Sequence, residues 1–265
     1  MTRIIAIANQ KGGTGKTTTA INIAAGLARI SNNGRVMLID IDPQANATAV
    51  YLGVPFAAGP RQTDTNTIYE VLLQQTPINN ALQTISISAG KGRQAELDIL
   101  PAHLDLASAE LELVNIFERE RRLRQALIPI QHEYSFIIID CPPSLGLLTV
   151  NALMVATEVI IPVDPGLFPI IGLNLLNNTI SMVQRANPQL RIMGVLPTLS
   201  DRTALFHDTH NELDEAFGHL LLPTIPRRVA FGEAHAAGED IFLYNGKSDG
   251  AKAYVELIKE ILHRG

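Results

Sequence analysis

Asn9-Gln10-Lys11-Gly12-Gly13-Thr14-Gly15-Lys16-Thr17-Thr18-Thr19, residues 9–19, decide how this chain reads. A short apolar run, Ile4-Ile5-Ala6-Ile7-Ala8, precedes them and has the character of a buried strand. Ala20-Ile21-Asn22-Ile23-Ala24-Ala25-Gly26-Leu27-Ala28 follows and reads as a helix. Strand, glycine-rich loop and helix form the setting of a phosphate-binding loop. Gly12, Gly13 and Gly15 let successive backbone N–H groups turn inward around phosphate oxygens. The helix that follows points its unsatisfied N–H groups and positive dipole end at the same place. Lys16 is placed to reach β- and γ-phosphates, and the Thr17 hydroxyl to take a Mg²⁺ position. The pattern G-x-x-x-x-G-K-[ST] is only partly met. Its first glycine would fall at Gln10, and a second lysine, Lys11, stands ahead of Gly12.

The chain has 265 residues, 46% of them hydrophobic and 18% charged, enough for a sizeable core and unlike a disordered segment. Cys141 is the single cysteine, so no internal disulfide forms, which suits a reducing cytoplasm. No signal peptide is visible, and no apolar stretch approaches the roughly 20 residues of a membrane span. The net charge of −5 excludes attraction of nucleic acid by the molecule as a whole. Any DNA binding must use a local basic patch.

Further strands are expected at 35–39, 97–100, 135–140, 159–163, 192–196 and 220–222. Gly34 is placed to end the helix before the first of these. Helices are expected at 67–73, 103–128 (unbroken or with one break), 146–156, 170–186, 203–217 and 250–263, and residues 57–66 read as a loop. Alternating strand and helix imply an α/β fold, a doubly wound, mostly parallel sheet with helices on both faces. No repeat or linker divides it, so residues 1–265 are expected to form one domain. Asp40 ends one apolar strand, where ligands bind in open α/β sheets. Asp140 ends Phe136-Ile137-Ile138-Ile139 in the Walker B arrangement, beside the phosphate loop, where a carboxylate holds Mg²⁺ through water. Cys141 follows and reads as a buried core thiol. The last helix sets Tyr254, Leu257, Ile258, Ile261 and Leu262 on one face. Its polar face is not strongly basic, so packing on the core is expected rather than binding at a membrane surface.

With these stretches in view, the chain resembles the ParA/MinD family of deviant Walker A ATPases over nearly its whole length. The likeness is carried by Lys11-Gly12-Gly13-Thr14-Gly15-Lys16-Thr17-Thr18, by Asp40-Ile41-Asp42-Pro43-Gln44 with Asn46-Ala47-Thr48, and by the run from Ile139-Asp140-Cys141-Pro142-Pro143 to Asn151-Ala152-Leu153. Ile225-Pro226-Arg227 and Lys247-Ser248-Asp249-Gly250-Ala251 add to it. The [4Fe-4S] relatives need cluster cysteines that one Cys does not supply. The resemblance implies ATP and Mg²⁺ as cofactors and an ATP-bound sandwich homodimer. In that dimer Lys11 would reach the partner's nucleotide and Gly12 would sit at the seam. Lys16, Thr17 and Thr18 would hold phosphates and Mg²⁺, with Gly13, Thr14 and Gly15 in the same loop. Asp40 would orient the attacking water, close to the metal. Asp140 would support the metal shell, and Pro226 and Arg228 would line the adenine. The implied function is partition or positioning of plasmid, chromosome or a protein cargo such as a carboxysome, on non-specific DNA of the nucleoid, with a ParB-like or other adaptor protein triggering hydrolysis. A MinD-like membrane-cycling regulator is the alternative. The family often has Pro-Arg-Asn-Val-Arg where this chain has Pro226-Arg227-Arg228-Val229-Ala230. An asparagine that reads the base and an arginine used for DNA are therefore replaced, and DNA binding is expected either to weaken or to move to Arg202, Arg227, Arg228, Lys247 or Lys252.

Overall fold

A computed structural model describes residues 2–31, 34–61, 65–90, 92–164, 169–200 and 213–264, with backbone alone for 169–175. Seven strands are described: β1 (Arg3–Ile7), β2 (Arg35–Asp40), β3 (Gln83–Ser88), β4 (Gln94–Leu100), β5 (Tyr134–Asp140), β6 (Glu158–Val163) and β7 (Arg191–Pro197). They form one sheet in the order β3-β4-β2-β5-β1-β6-β7. Every pairing is parallel except β3 with β4, a hairpin at the sheet edge.

Both faces of the sheet are covered, and the strand period explains why. Ile4 and Ala6 of β1 enter one apolar cluster, while Ile5 and Ile7 enter the other. The first cluster takes in α4 (Ile68–Leu72), α5 (Leu106–Leu113), α6 (Arg122–Leu127), α7 (Leu147–Val155) and part of α8 (Pro169–Gln184). The second takes in α1 (Lys16–Ile30), α9 (Val229–Ala236), α10 (Ile241–Asn245) and α11 (Asp249–His263). Two short helices, α2 (Asn46–Leu52) and α3 (Val54–Ala58), follow β2. Buried on both faces, the parallel strands read as continuous apolar runs in the sequence.

Several boundaries differ from expectation. Leu220–Leu222 is not a sheet strand: a 3-10 turn covers Gly218–Leu220, and Leu221 makes only an isolated bridge to Val195. The helix expected at 103–128 ends at Leu113; turns follow as far as Glu118, whose φ of 53° is left-handed, and a 3-10 turn at Arg119–Arg121 precedes α6. Gly34 does not cap α1, whose C-cap is Ser31. A Cβ on Gly34 would instead lie 2.0 Å from the Ser135 hydroxyl, so close approach explains the glycine. Ala57 and Ala58 belong to α3 rather than a loop. Of the helix expected at 203–217, residues 203–212 and with them Arg202 lie outside the described residues, and 213–217 are helical. In α11, Tyr254, Leu257, Ile258 and Ile261 pack into the core as expected, but Leu262 is 45% exposed.

Candidate functional site

The carboxyl ends of β1, β2, β5 and β6 converge on one edge, and the loop after β1 lies across it. Asp40 and Asp140 are opposite each other in the β2–β5 register, and Ile7 pairs with Asp140 across β5 and β1. Adjacent parallel strands that end in register thus place two carboxylates beside the phosphate loop.

The loop is braced from beneath. Asn9 donates from Nδ2 to the Pro162 carbonyl at 2.6 Å, and its Oδ1 accepts the Lys11 N–H at 3.0 Å. The Thr198 hydroxyl lies 2.8 Å from the Thr14 carbonyl and 3.0 Å from the Val163 carbonyl and shares its one proton between them. Gly13 and Gly15 have φ of 72° and 76°, the left-handed conformation that L side chains rarely adopt. That turn delivers the chain to the N-terminus of α1, which starts at Lys16.

Lys16 is 6% exposed, and its ammonium donates to the Lys11 carbonyl at 3.1 Å. Burial lowers its pKa, opposed by Asp140, Asp42 and Cys141. Lys11 points the other way. Its side chain is 51% exposed, and its ammonium lies 3.6 Å from the Asp164 carboxylate just beyond β6. Lys11 thus has a local partner that its sequence position did not reveal. Gly12 is exposed, and a Cβ there would stand 4.0 Å from the nearest atom, Cβ of Pro143.

The two carboxylates are not equivalent. Asp40 is fully buried, and its Oδ2 accepts from both the N–H and the hydroxyl of Thr48, each at 2.8 Å. Its Oδ1 accepts the Asp42 N–H at 3.2 Å. Burial raises its pKa to about 6, against the pull of the Thr48 bonds. Both oxygens of Asp140 are sealed and meet no hydrogen-bond donor of normal geometry among the described residues. Burial and then Asp40 push its pKa well up; the Thr17 hydroxyl beside it favours the charged form. An unpartnered buried carboxylate is costly unless something cationic completes it. Asp140 with the Thr17 hydroxyl therefore suits a hard divalent cation. Among the described residues no group of three or more His, Cys, Asp or Glu side chains could hold a metal ion. A cation here would draw most of its ligands from phosphate and water, the habit of Mg²⁺. Asp40, with Oδ2 already filled, is the less available oxygen donor.

The remaining expected residues lie nearby. Ser200 and Pro226 form a bridge, and Ile225 donates its N–H to the Pro197 carbonyl, so the Pro226 segment runs beside the end of β7 next to Thr198. The Arg228 guanidinium is held by both carboxylate oxygens of Asp249, with Nε 3.0 and 2.8 Å from them, and it donates to the Arg227 carbonyl. Asp249 is the first residue of α11 and Lys252 lies one turn on, with Lys247 in the preceding turn. Arg227, Arg228, Lys247 and Lys252 are all exposed. Asp164 and Thr198 have no role legible in the sequence, and Thr48 and Asp249 stand only inside stretches that carry the family likeness. Asp164, Thr198 and Asp249 act through partners far along the chain, and Thr48 ties Asp40 to the distant Ala102, relations that residue spacing does not carry.

Residues 2–192 match a protein family described as an AAA domain. The sporulation initiation inhibitor protein Soj of Bacillus subtilis is 42% identical over all of both chains. The chromosome partitioning protein ParA of Myxococcus xanthus is 44% identical over 99% of this chain and 88% of that protein. A crystal structure described as cobyrinic acid a,c-diamide synthase from Mycobacterium smegmatis, with bound ATP analog and magnesium, superposes with a TM-score of 0.80. It is 35% identical and covers 99% of this chain and 95% of that one.

Proposed function

Since the chain belongs to the ParA family of P-loop partitioning ATPases, we propose that it is an ATP-switched positioning enzyme working as a homodimer on DNA, its 265 residues forming one ATPase domain. The observation that carries this reading is the divergence of the two lysines. Lys16 is buried inside the loop, while Lys11 leaves it beside the open surface at Gly12.

Phosphoryl transfer needs positioning and neutralised charge more than covalent help. Gly12, Gly13, Thr14, Gly15, Lys16 and Thr18 would hold the phosphates. Thr17 and Asp140 would hold Mg²⁺, which supplies charge neutralisation on the phosphate oxygens. Asp40 would orient the attacking water. Lys11 would add a cation from the partner, as an arginine finger does, only once two copies close over their nucleotides. ATP then holds the dimer together, and a ParB-like adaptor would release it by stimulating hydrolysis. Pro226 would line the adenine; Arg228, drawn to Asp249, would do so through its backbone. The dimer would present two copies of the Arg227, Arg228, Lys247 and Lys252 cluster to DNA. Two weak patches on one rigid body raise each other's effective concentration. The cargo would be DNA or a protein assembly.

The name of the Mycobacterium smegmatis structure suggests amide synthesis instead. Drawing ammonia from glutamine takes a reactive cysteine. Cys141, the single cysteine, is fully buried, and burial pushes its thiol pKa up, the opposite of an activated nucleophile. A MinD-like membrane cycle finds no support in α11, whose apolar face is spent on the core.

The test is DNA retention with ATP·Mg²⁺, with ADP·Mg²⁺ and without nucleotide, at low and high salt, for the native chain and Asp40→Ala. Salt-sensitive retention with ATP alone, kept or strengthened in Asp40→Ala, is expected. Retention that ignores nucleotide, or none in any state, overturns the reading.

A further inference from the structure

We propose that Thr48 is a positioning residue for hydrolysis, saturating one carboxylate oxygen of Asp40 so that the other is reserved for the attacking water. The proposal rests on Asp40 as the residue that orients that water.

Thr48 is the third residue of α2 and fully buried. Its hydroxyl takes part in two hydrogen bonds, and their directions are forced. The Ala102 N–H, 2.9 Å away, can only donate, so the Thr48 oxygen accepts there. The single hydroxyl proton is left for Asp40 Oδ2 at 2.8 Å. The Thr48 N–H reaches the same oxygen at 2.8 Å. A carboxylate oxygen has two lone-pair directions, and those of Oδ2 are both used. Among the described residues Oδ1 receives only the longer Asp42 bond, 3.2 Å, and keeps a lone pair.

This asymmetry matters because a free carboxylate turns about χ2 and interchanges its oxygens. Thr48 removes that freedom. Its own anchor is outside the phosphate loop: Ala102 lies just beyond β4, next to Pro101, whose carbonyl accepts the Ile68 N–H of α4 at 2.8 Å. Asp40 is thereby referenced to the rigid sheet and not to the loop that carries the nucleotide. Holding a reacting group in one geometry is worth far more to turnover than to binding.

The test is steady-state ATP hydrolysis by the full chain as native protein, Thr48→Val, Thr48→Ala, Thr48→Ser and Asp40→Ala, each checked for folding by its thermal transition. Valine keeps the shape and loses the hydroxyl. For Thr48→Val the expectation is a kcat about tenfold or more below native, with KM for ATP within about threefold. Thr48→Ser should return kcat to within about threefold of native. Thr48→Ala makes the same measurement should the valine form not fold. A Thr48→Val kcat near native beside an inactive Asp40→Ala overturns this inference and leaves the role of Asp40 standing. Full activity in Asp40→Ala overturns both. Serine as slow as valine would assign the effect to packing, and a loss entirely in KM would assign it to building the nucleotide site; either overturns the proposal.

Discussion

Lys11 and Asp164 face each other across 3.6 Å, joining the loop after β1 to the end of β6. The pair is part-exposed, and such pairs contribute roughly 0–1 kcal/mol. Asp164 therefore parks Lys11 more than it fixes it, and a stronger anion can draw the lysine away. Lys11→Ala is expected to bind ATP normally in equilibrium titration. It should lose ATP-dependent dimerisation by light scattering, and turnover should fall at least about tenfold. Asp164→Asn should keep both. Normal dimerisation of Lys11→Ala would refute the cross-dimer role.

Asp140 carries the clearest energetic debt of the site: two sealed oxygens that meet no hydrogen-bond donor of normal geometry among the described residues, with the Thr17 hydroxyl beside them. Asp140→Asn removes the charge whose burial is unfavourable and with it the attraction for a cation. The nucleotide-free variant is expected to melt higher than the native chain. Native protein at a hundredfold excess of Mg·ATP over Kd gains about 2.7 kcal/mol. That is a shift of several degrees for a chain of this size, roughly 2–4 °C per kcal/mol. Asp140→Asn should lose most of the shift. An undiminished shift would mean that Asp140 takes no part in holding the metal.

Much of this arrangement was legible in the sequence, for physical reasons. Strands buried on both faces have to be continuously apolar, so Ile4–Ala8 and Phe136–Ile139 announced themselves. A backbone that turns around phosphate needs glycine where φ is positive, which marked Gly13 and Gly15. Asp40 and Asp140 were visible because each ends such a strand. What stayed hidden was pairing over distance. Ala102 is 54 residues from Thr48, and Thr198 is 184 from Thr14. The strand expected at Leu220–Leu222 failed because three leucines satisfy a helix, a strand or an apolar strap equally well. Here they form the strap, and a Cβ on Gly194 would lie 2.5 Å from the Leu220 carbonyl.

His235 offers a pH dependence of known sign. Its imidazole is largely buried, Nε2 is sealed without a partner among the described residues, and burial lowers its pKa below the usual 6.5. The folded chain keeps it neutral where the unfolded chain takes up a proton. Its contribution to stability is therefore complete above pH 6.5 and is lost as pH falls below that value. His235→Gln should lose less melting temperature than the native chain between about pH 7.5 and 5.5. Equal losses would show that His235 is not among the groups responsible.

A basic cluster surrounds the start of α11. Lys247 and Lys252 are exposed, whereas the Arg228 guanidinium is already engaged by Asp249. The lysines should therefore carry more of any phosphate contact than Arg228. Each lysine–phosphate contact releases counterions and adds about 0.9 to the slope of log affinity against log salt. A dimer repeats the cluster, so Lys252→Ala should remove two contacts and reduce the slope by roughly 1.8. Lys247→Ala should behave alike. Asp249→Asn should do the reverse: it weakens the hold on the Arg228 guanidinium, removes a carboxylate from the patch, and should strengthen ATP-dependent retention. DNA titrations of these variants across a salt series decide the matter. A slope unchanged in both lysine variants would place the DNA surface elsewhere on the dimer.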